Sequence, residues 1–353
     1  MMTEHKTVLV HLVSGMGNML MATPMMEMLS QGGYKVDLCL QGQTPKVDTL
    51  FSRWPHVRNV SSDQTPFLDQ KYDIYIYGFE VEGEPIRFKN FENAIVLHPM
   101  WDYSKGCGLH SEIELYSNLA KFIVPDVDTV SQTSCAPSER VFDDISEDTC
   151  VLIPGGDKKL ILRKWTKYGE LAKQIKNVAV VGLPSDLDHS NRIIFPKWCK
   201  KIFGNTLNYQ GRAWHFARHF AERHDTEITF PAHVKNYIGK LSLEDTAALI
   251  KQAGYIIGND CGVTNIAVAL GKPVFVMLGP TSRRKIFPDF LKNVSIISEN
   301  FDCQPCQENP KLGVFHENGS QCFCPYSIRC MNDLSINKVL NHVSEKLNRD
   351  IRL

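Results

Sequence analysis

Neither sign of charge predominates in this chain. Thirty-nine Lys and Arg balance thirty-nine Asp and Glu over 353 residues, so no global field draws it onto nucleic acid or an anionic membrane. Long apolar runs are also lacking: none approaches the roughly eighteen residues of a membrane-spanning helix. The opening residues MMTEHK carry an acid and lack the basic-then-apolar order of a secretory leader, which leads to the expectation of a cytoplasmic protein. Six of the eleven cysteines (Cys39, Cys107, Cys135, Cys150, Cys199, Cys261) stand singly, the pattern of reduced, buried thiols rather than of a disulfide framework. No internal repeat or low-complexity tract is present.

What is present is ordinary globular composition, 43% hydrophobic and 22% charged, on a chain long enough for two cores. Short apolar runs (TVLVHLV, KVDLCL, YDIYIYGF and NAIVLH, then CVLIPG, VAVVGLP, GYIIGND and KPVFVMLGP) alternate with segments of helical period. That alternation marks an α/β protein with parallel sheets and crossover helices. The two sets of strands are separated by VPDVDTVSQTSCAPSERVFDDISEDT, rich in Pro, Ser and Asp, which places a domain boundary near residue 145. Residues 146–335 form the second domain, in which 186–235 reads as an insertion, and 336–353 an amphipathic closing helix opened by a Ser335 cap.

Three stretches carry candidate chemistry. In GYIIGNDCGVTNIAVALG an apolar strand runs through Gly258, Asn259, Asp260 and Gly262 into a small-residue helix that Gly271 ends. A helix opening past the carboxyl end of a strand aims unpaired N–H groups and a positive dipole end at a phosphate. Asp260 there serves either as a helix cap or as an acceptor from a sugar hydroxyl. In PGGDKKLILRKWTKYGELAKQI, Lys164 can reach over the turn to a diphosphate, although such a lysine is more often solvated. In SGMGNMLMATPMMEML, two glycines, Asn18 and a proline separate a buried strand from a methionine-rich helix.

Taken together with SEIELYSNLAKFI before the linker and IGKLSLEDTAALIKQAGYIIGNDCGVTNIAVALGKPVFVMLGPTS after it, these stretches resemble the glycosyltransferases of family 9, the lipopolysaccharide heptosyltransferase-like enzymes of the GT-B fold. The resemblance fails only within 186–235. It implies two Rossmann-like domains facing across a cleft, residues 1–145 on the acceptor side and 146–335 on the nucleotide-sugar side. It implies that Lys164 neutralises the diphosphate, that the helix after Asp260 and Gly262 receives it, that Thr264 and Thr281 add hydroxyl contacts, and that Asp260 orients the transferred sugar. Asn265 belongs to the same donor set, and Gly17, Asn18, His98 and His110 to the acceptor side. Transfer is expected to be inverting and to need no metal or other cofactor. Whether the sugar is a hexose, a pentose or a heptose stays open, as does the nucleotide.

Two positions depart from the family. Asn18 replaces the acid that takes the acceptor's proton, and Asn265 replaces a histidine. An amide has no useful basicity, so Asn18 orients an acceptor while another group accepts the proton. Among His98, Asp102, His110, Glu112 and Glu114, Asp102 is preferred. The basic, aromatic-interleaved segments FPKWCKKIFGN and GRAWHFARHFAERH, with Lys197, Lys200, Lys201, Arg212, Trp214, Arg218 and Arg223, raise a second acceptor class beside a saccharide, the hydroxymethylated bases of viral DNA. The same residues also suit an amphipathic helix. A third reading is an inactive module that binds nucleotide or glycan. Cys303, Cys306, Cys322, Cys324 and Cys330 fit no common zinc finger, and structural thiols, zinc and disulfides remain as alternatives.

Overall fold

Alternation along β1 (Thr7–Val13) sets the architecture of the first half. Val8, Val10 and Leu12 join the core beneath the helices, while Leu9 turns to the other face against Phe67, Tyr72 and Tyr75. Burial on both faces is what a parallel sheet requires. The computed structural model describes residues 6–42, 44–78, 95–97, 111–156, 161–188, 193–194, 202, 222–223, 227–306, 324 and 328–353.

The strands continue with β2 (Lys35–Gln41), β3 (Asn59–Ser61), β4 (Ile74–Tyr77) and β5 (Ile95–Leu97), which build a parallel sheet in the order β3-β2-β1-β4-β5. Next come β6 (Cys150–Ile153), β7 (Val178–Val180) and the two-residue pair β8 (Ile193–Ile194) and β9 (Glu222–Arg223). After these come β10 (Lys235–Asn236), β11 (Tyr255–Asn259), β12 (Val274–Met277) and β13 (Val294–Ile297). The second parallel sheet runs β10-β7-β6-β11-β12-β13. In both sheets the first strand in sequence lies inside, and the order reverses beside it; such a switch point opens a crevice at the carboxyl ends of the strands.

The helices are α1 (Met16–Met21), α2 (Thr23–Gln31), α3 (Glu112–Ile123), α4 (Tyr168–Ala172), α5 (Leu243–Gln252), α6 (Gly262–Ala269), α7 (Arg283–Ile286), α8 (Arg329–Asn332) and α9 (Ile336–Leu347). Among the described residues no helix is long and apolar enough to cross a membrane. The methionines of α1 and α2 (Met16, Met19, Met21, Met25, Met26, Met28) are all buried, in one apolar cluster that also takes in α5, α6 and one face of the second sheet. Unbranched thioether side chains fill such irregular contacts well.

The connecting chain is extended and bonded to both halves. Ser134 N–H donates to Thr23 Oγ1 at 3.0 Å, and Thr23 donates in turn to the Leu20 carbonyl at 2.7 Å, which accounts for the Thr-Pro start of α2. Gln132 donates to the Val268 carbonyl at 2.8 Å, and Ser138 to Asp245 at 2.7 Å. The far face of the second sheet holds Trp165 and Tyr168 against Val339, Leu340 and Val343 of α9. Ser335 caps that helix, accepting from Lys338 N–H at 3.2 Å. Ser335→Ala is expected to lower stability by about 1 kcal/mol, read as a shifted urea midpoint at unchanged slope. An unmoved midpoint would mean that the docked apolar face alone holds the helix.

Candidate functional site

The site grows from the end of β11. Asn259 is fully buried, and its side chain clamps two segments: Oδ1 accepts from Trp165 N–H at 3.0 Å, and Nδ2 donates to the Pro154 carbonyl at 2.9 Å. One amide therefore binds the loop after β6 to the turn that carries Lys164. Trp165 is held from its other side by a 3.0 Å bond from its indole N–H to the Leu334 carbonyl.

Beyond Asn259 the chain turns through Asp260 and Cys261 into α6. Thr264 donates to the Asn259 carbonyl at 2.6 Å and lies 3.4 Å from Cys261 Sγ, while Asn265 Nδ2 donates to the Cys261 carbonyl at 3.0 Å. Gly258 follows from this lock, because a Cβ there would stand 2.5 Å from Thr264 Oγ1. The N-cap is Cys261, and its side chain makes no capping bond. The first N–H groups of α6 thus have no side-chain cap, as a phosphate site requires. Asp260 as the helix cap is corrected by this geometry.

Asp260 has a different partner. Its Oδ2 lies 3.1 Å from Arg163 Nη1, with the two side chains 5% and 15% exposed. Arg163 ends the 3-10 turn Ile161–Arg163, and Lys164 follows it, 4% exposed and facing Gly156. Arg163 therefore pairs with a buried carboxylate just past the carboxyl end of β11, and Lys164 is its neighbour in the chain. Arg163 is not among the candidates that the sequence suggests. Its only signal there is its place next to Lys164, since the pairing to Asp260 is made in three dimensions. Arg163 Nε is buried with no hydrogen-bond partner among the described residues, and so is the hydroxyl of Thr281, 2% exposed in the loop after β12. Orphaned buried donors are unfavourable unless a ligand or water completes them. The Thr264 hydroxyl proton, by contrast, is committed to Asn259, so Thr264 shapes the turn and does not donate to a ligand. Burial pushes the Cys261 thiol up to about 11.

The opening loop of the first half meets this site directly. A Cβ on Gly17 would lie 3.0 Å from Asn265 Nδ2, and one on Gly262 would lie 2.6 Å from Met16 Cε. The amino ends of α1 and α6 are thus in contact, with Asn265 of α6 against Gly17 of α1. Asn18 donates to Glu112 Oε1 at 3.3 Å, and Lys285 Nζ of α7 is 3.5 Å from the same oxygen. The acceptor-side candidates His98, Asp102 and His110 lie outside the described residues, as do Lys197, Lys200, Lys201, Arg212, Trp214 and Arg218 of the basic segments.

Cys303 and Cys306 form no disulfide, which removes that alternative for these two; Cys322 lies outside the described residues. Burial, with Cys324 and Cys303 close by, pushes the Cys306 thiol up to about 12. Among the described residues no group of three or more His, Cys, Asp or Glu converges as metal ligands.

Comparison with known proteins agrees with this frame. Residues 214–313 match the sequence model of glycosyltransferase family 9 (heptosyltransferase). Lipopolysaccharide heptosyltransferase 2 of Salmonella typhimurium is 27% identical over 139 residues, a match that spans 38% of this chain and 30% of that protein. The ADP-heptose lipopolysaccharide heptosyltransferase II of E. coli superposes with a TM-score of 0.59 at 17% identity, covering 97% of this chain and 98% of the other. The iron-containing dodecameric glycosyltransferase TibC of enterotoxigenic E. coli does so at 0.54 and 14% identity, covering 98% of this chain and 80% of its own. The fold is that of the GT-B heptosyltransferases, and residues 214–313 carry a glycosyltransferase family 9 segment.

Proposed function

We propose that this chain is an inverting glycosyltransferase that moves a sugar from a nucleotide-diphosphate sugar to a hydroxyl of a saccharide, and that it does so without a divalent ion. Residues 1–145 hold the acceptor, 146–335 the donor, and the 336–353 helix closes the second domain. The observation that carries the reading is the buried Arg163–Asp260 pair, with Lys164 next to Arg163 in the chain, at the side-chain-uncapped amino end of α6, which meets Met16 and Gly17 of α1. Lys164 and the first N–H groups of α6 take the diphosphate, Thr281 adds its hydroxyl, and Asp260 orients the sugar. Asn265 stands between that sugar and the acceptor loop, where Gly17 and Asn18 meet the incoming hydroxyl.

Fixed donors aimed at the developing charge on a leaving diphosphate do what a bound cation does elsewhere. Attack from the acceptor side, opposite the leaving group, inverts the anomeric centre. The lipopolysaccharide heptosyltransferases that this chain resembles make ADP-heptose the first donor to try and a lipopolysaccharide core saccharide the first acceptor.

Thermal unfolding with ADP, UDP, GDP and CDP tests the donor side. The matching nucleotide should add roughly 2.7 kcal/mol of apparent stability at a hundred times its dissociation constant, and the other three much less. No stabilisation by any of the four would remove the donor site. Chelation supplies a further prediction: EDTA, or an iron chelator, should leave the rate of transfer unchanged. A rate lost on chelation and restored by a metal ion would overturn the metal-free mechanism.

A further inference from the structure

The first turn of α1 lacks a carboxylate at Asn18, but the fold brings one to it from another element. Glu112 is the first residue of α3. That helix is capped by Ser111 in a reciprocal pair with Glu114, where Ser111 N–H donates to Glu114 at 2.7 Å and Glu114 N–H to Ser111 Oγ at 3.1 Å. Glu114 is thereby committed to the cap. Glu112, only 3% exposed, instead places Oε1 3.3 Å from Asn18 Nδ2 and 3.5 Å from Lys285 Nζ. The first turn of α1, the start of α3 and the short helix α7, drawn from both halves of the chain, meet on this one oxygen.

Burying a carboxylate and an ammonium together is weak ground for stability, because apolar side chains of similar volume do as well or better. Such a pair at the contact between two halves therefore invites a functional account. The position provides one. Asn18 is the immediate neighbour of Gly17, which touches Asn265 in the first turn of α6. The Glu112 carboxylate thus stands next to the first turn of α1 and near the place where α6 opens. Asn18 gives its amide N–H to Glu112, and an amide oxygen accepts from hydroxyls, so the two side chains can hold one acceptor group between them.

We propose that Glu112 is the general base of the transfer reaction, in place of an acid at position 18, with Asn18 and Lys285 as its positioning residues. This rests on the glycosyltransferase reading. The acceptor oxygen forms its bond to the anomeric carbon as the bond from that carbon to the diphosphate oxygen breaks. The diphosphate leaves with the electron pair, towards Lys164 and α6, and the hydroxyl proton passes to the Glu112 carboxylate. Lys285 comes from the donor half, so the base is set in place only when the two halves are together.

The test is a set of isosteric exchanges read by kcat, donor KM and urea midpoint, with an ADP-, UDP-, GDP- or CDP-sugar that the wild-type chain turns over. Glu112→Gln should lower kcat by about 10²–10⁴-fold, the usual range for a general base, with donor KM within about twofold. Adding Asn18→Asp to Glu112→Gln should recover at least about tenfold of that loss, because it returns a carboxylate to the same spot. Lys285→Met should lower kcat at unchanged donor KM, and Lys285→Arg should restore it. If Glu112→Gln keeps wild-type kcat, or lowers it without rescue by Asn18→Asp, Glu112 is not the base. Glu112 is likewise ruled out if Asp102→Asn, and not Glu112→Gln, produces the fall. If the wild-type chain turns over no nucleotide sugar, the parent reading fails instead, a result distinct from the other three.

Discussion

Asn259→Leu is expected to destabilise the protein by about 2–6 kcal/mol and to abolish nucleotide binding with it. Leucine nearly matches the shape of asparagine but offers neither oxygen nor N–H. Trp165 N–H would lose its acceptor and the Pro154 carbonyl its donor, both in fully buried surroundings. Each orphaned group costs roughly 1–3 kcal/mol. The functional loss follows from the same bonds, because Lys164 sits beside Trp165 and loses its anchor to β11. Urea unfolding gives the stability, and calorimetric titration with the nucleotide diphosphate gives the binding. A shift equivalent to less than about 1 kcal/mol, with binding retained, would show that packing around Trp165 alone fixes the loop.

Lys164→Ala should weaken nucleotide diphosphate binding by about 1.5–3 kcal/mol, or about 10- to 150-fold, and leave the affinity for the bare nucleoside unaltered. The split between the two ligands is the informative part. A lysine acting on the diphosphate is felt only when phosphates are present, whereas one that supports the fold would lower both affinities along with the urea midpoint. Equal affinity of wild type and Lys164→Ala for the diphosphate would take Lys164 out of the site, and Arg163 would then be the cation to replace.

The interior of the fold is legible in the sequence, and its edges are less so. The central strands β1, β2, β4, β6, β7, β11 and β12 coincide with the apolar runs, because burial on both faces demands an unbroken apolar stretch. In the two parallel sheets the strands without a clear signal are β3, β10 and β13. All three lie at sheet edges, where a strand has one neighbour, is short, and can carry polar residues such as Asn59, Lys235 and Ser295. The edge strand β5 is legible through its Ile-Val-Leu core.

The donor side of the site follows the same division. Asp260, Gly262 and Lys164 stand out because strand, glycine and helix are written in consecutive residues. Arg163 is hidden because its partner is remote in sequence, and Glu112, one of five candidate bases, is not singled out for the same reason: Asn18 and Glu112 meet from 94 residues apart. Spacing along the chain carries no trace of such a meeting. The family resemblance offers Thr264 as a ligand contact, whereas its bond to the nearby Asn259 carbonyl places its proton in the turn.

Acceptor-dependent release of nucleotide diphosphate is the measurement that bears most directly on the proposed transfer. With ADP-heptose, or the sugar of whichever nucleotide stabilises the chain, a lipopolysaccharide core saccharide should raise diphosphate release well above the rate with water alone. Its mass should rise by one glycosyl unit, and the new linkage should have the opposite anomeric configuration to the donor. Tight nucleotide binding with no release and no mass gain, across ADP-, UDP-, GDP- and CDP-sugars and several saccharides, would contradict transfer and leave a nucleotide-binding module.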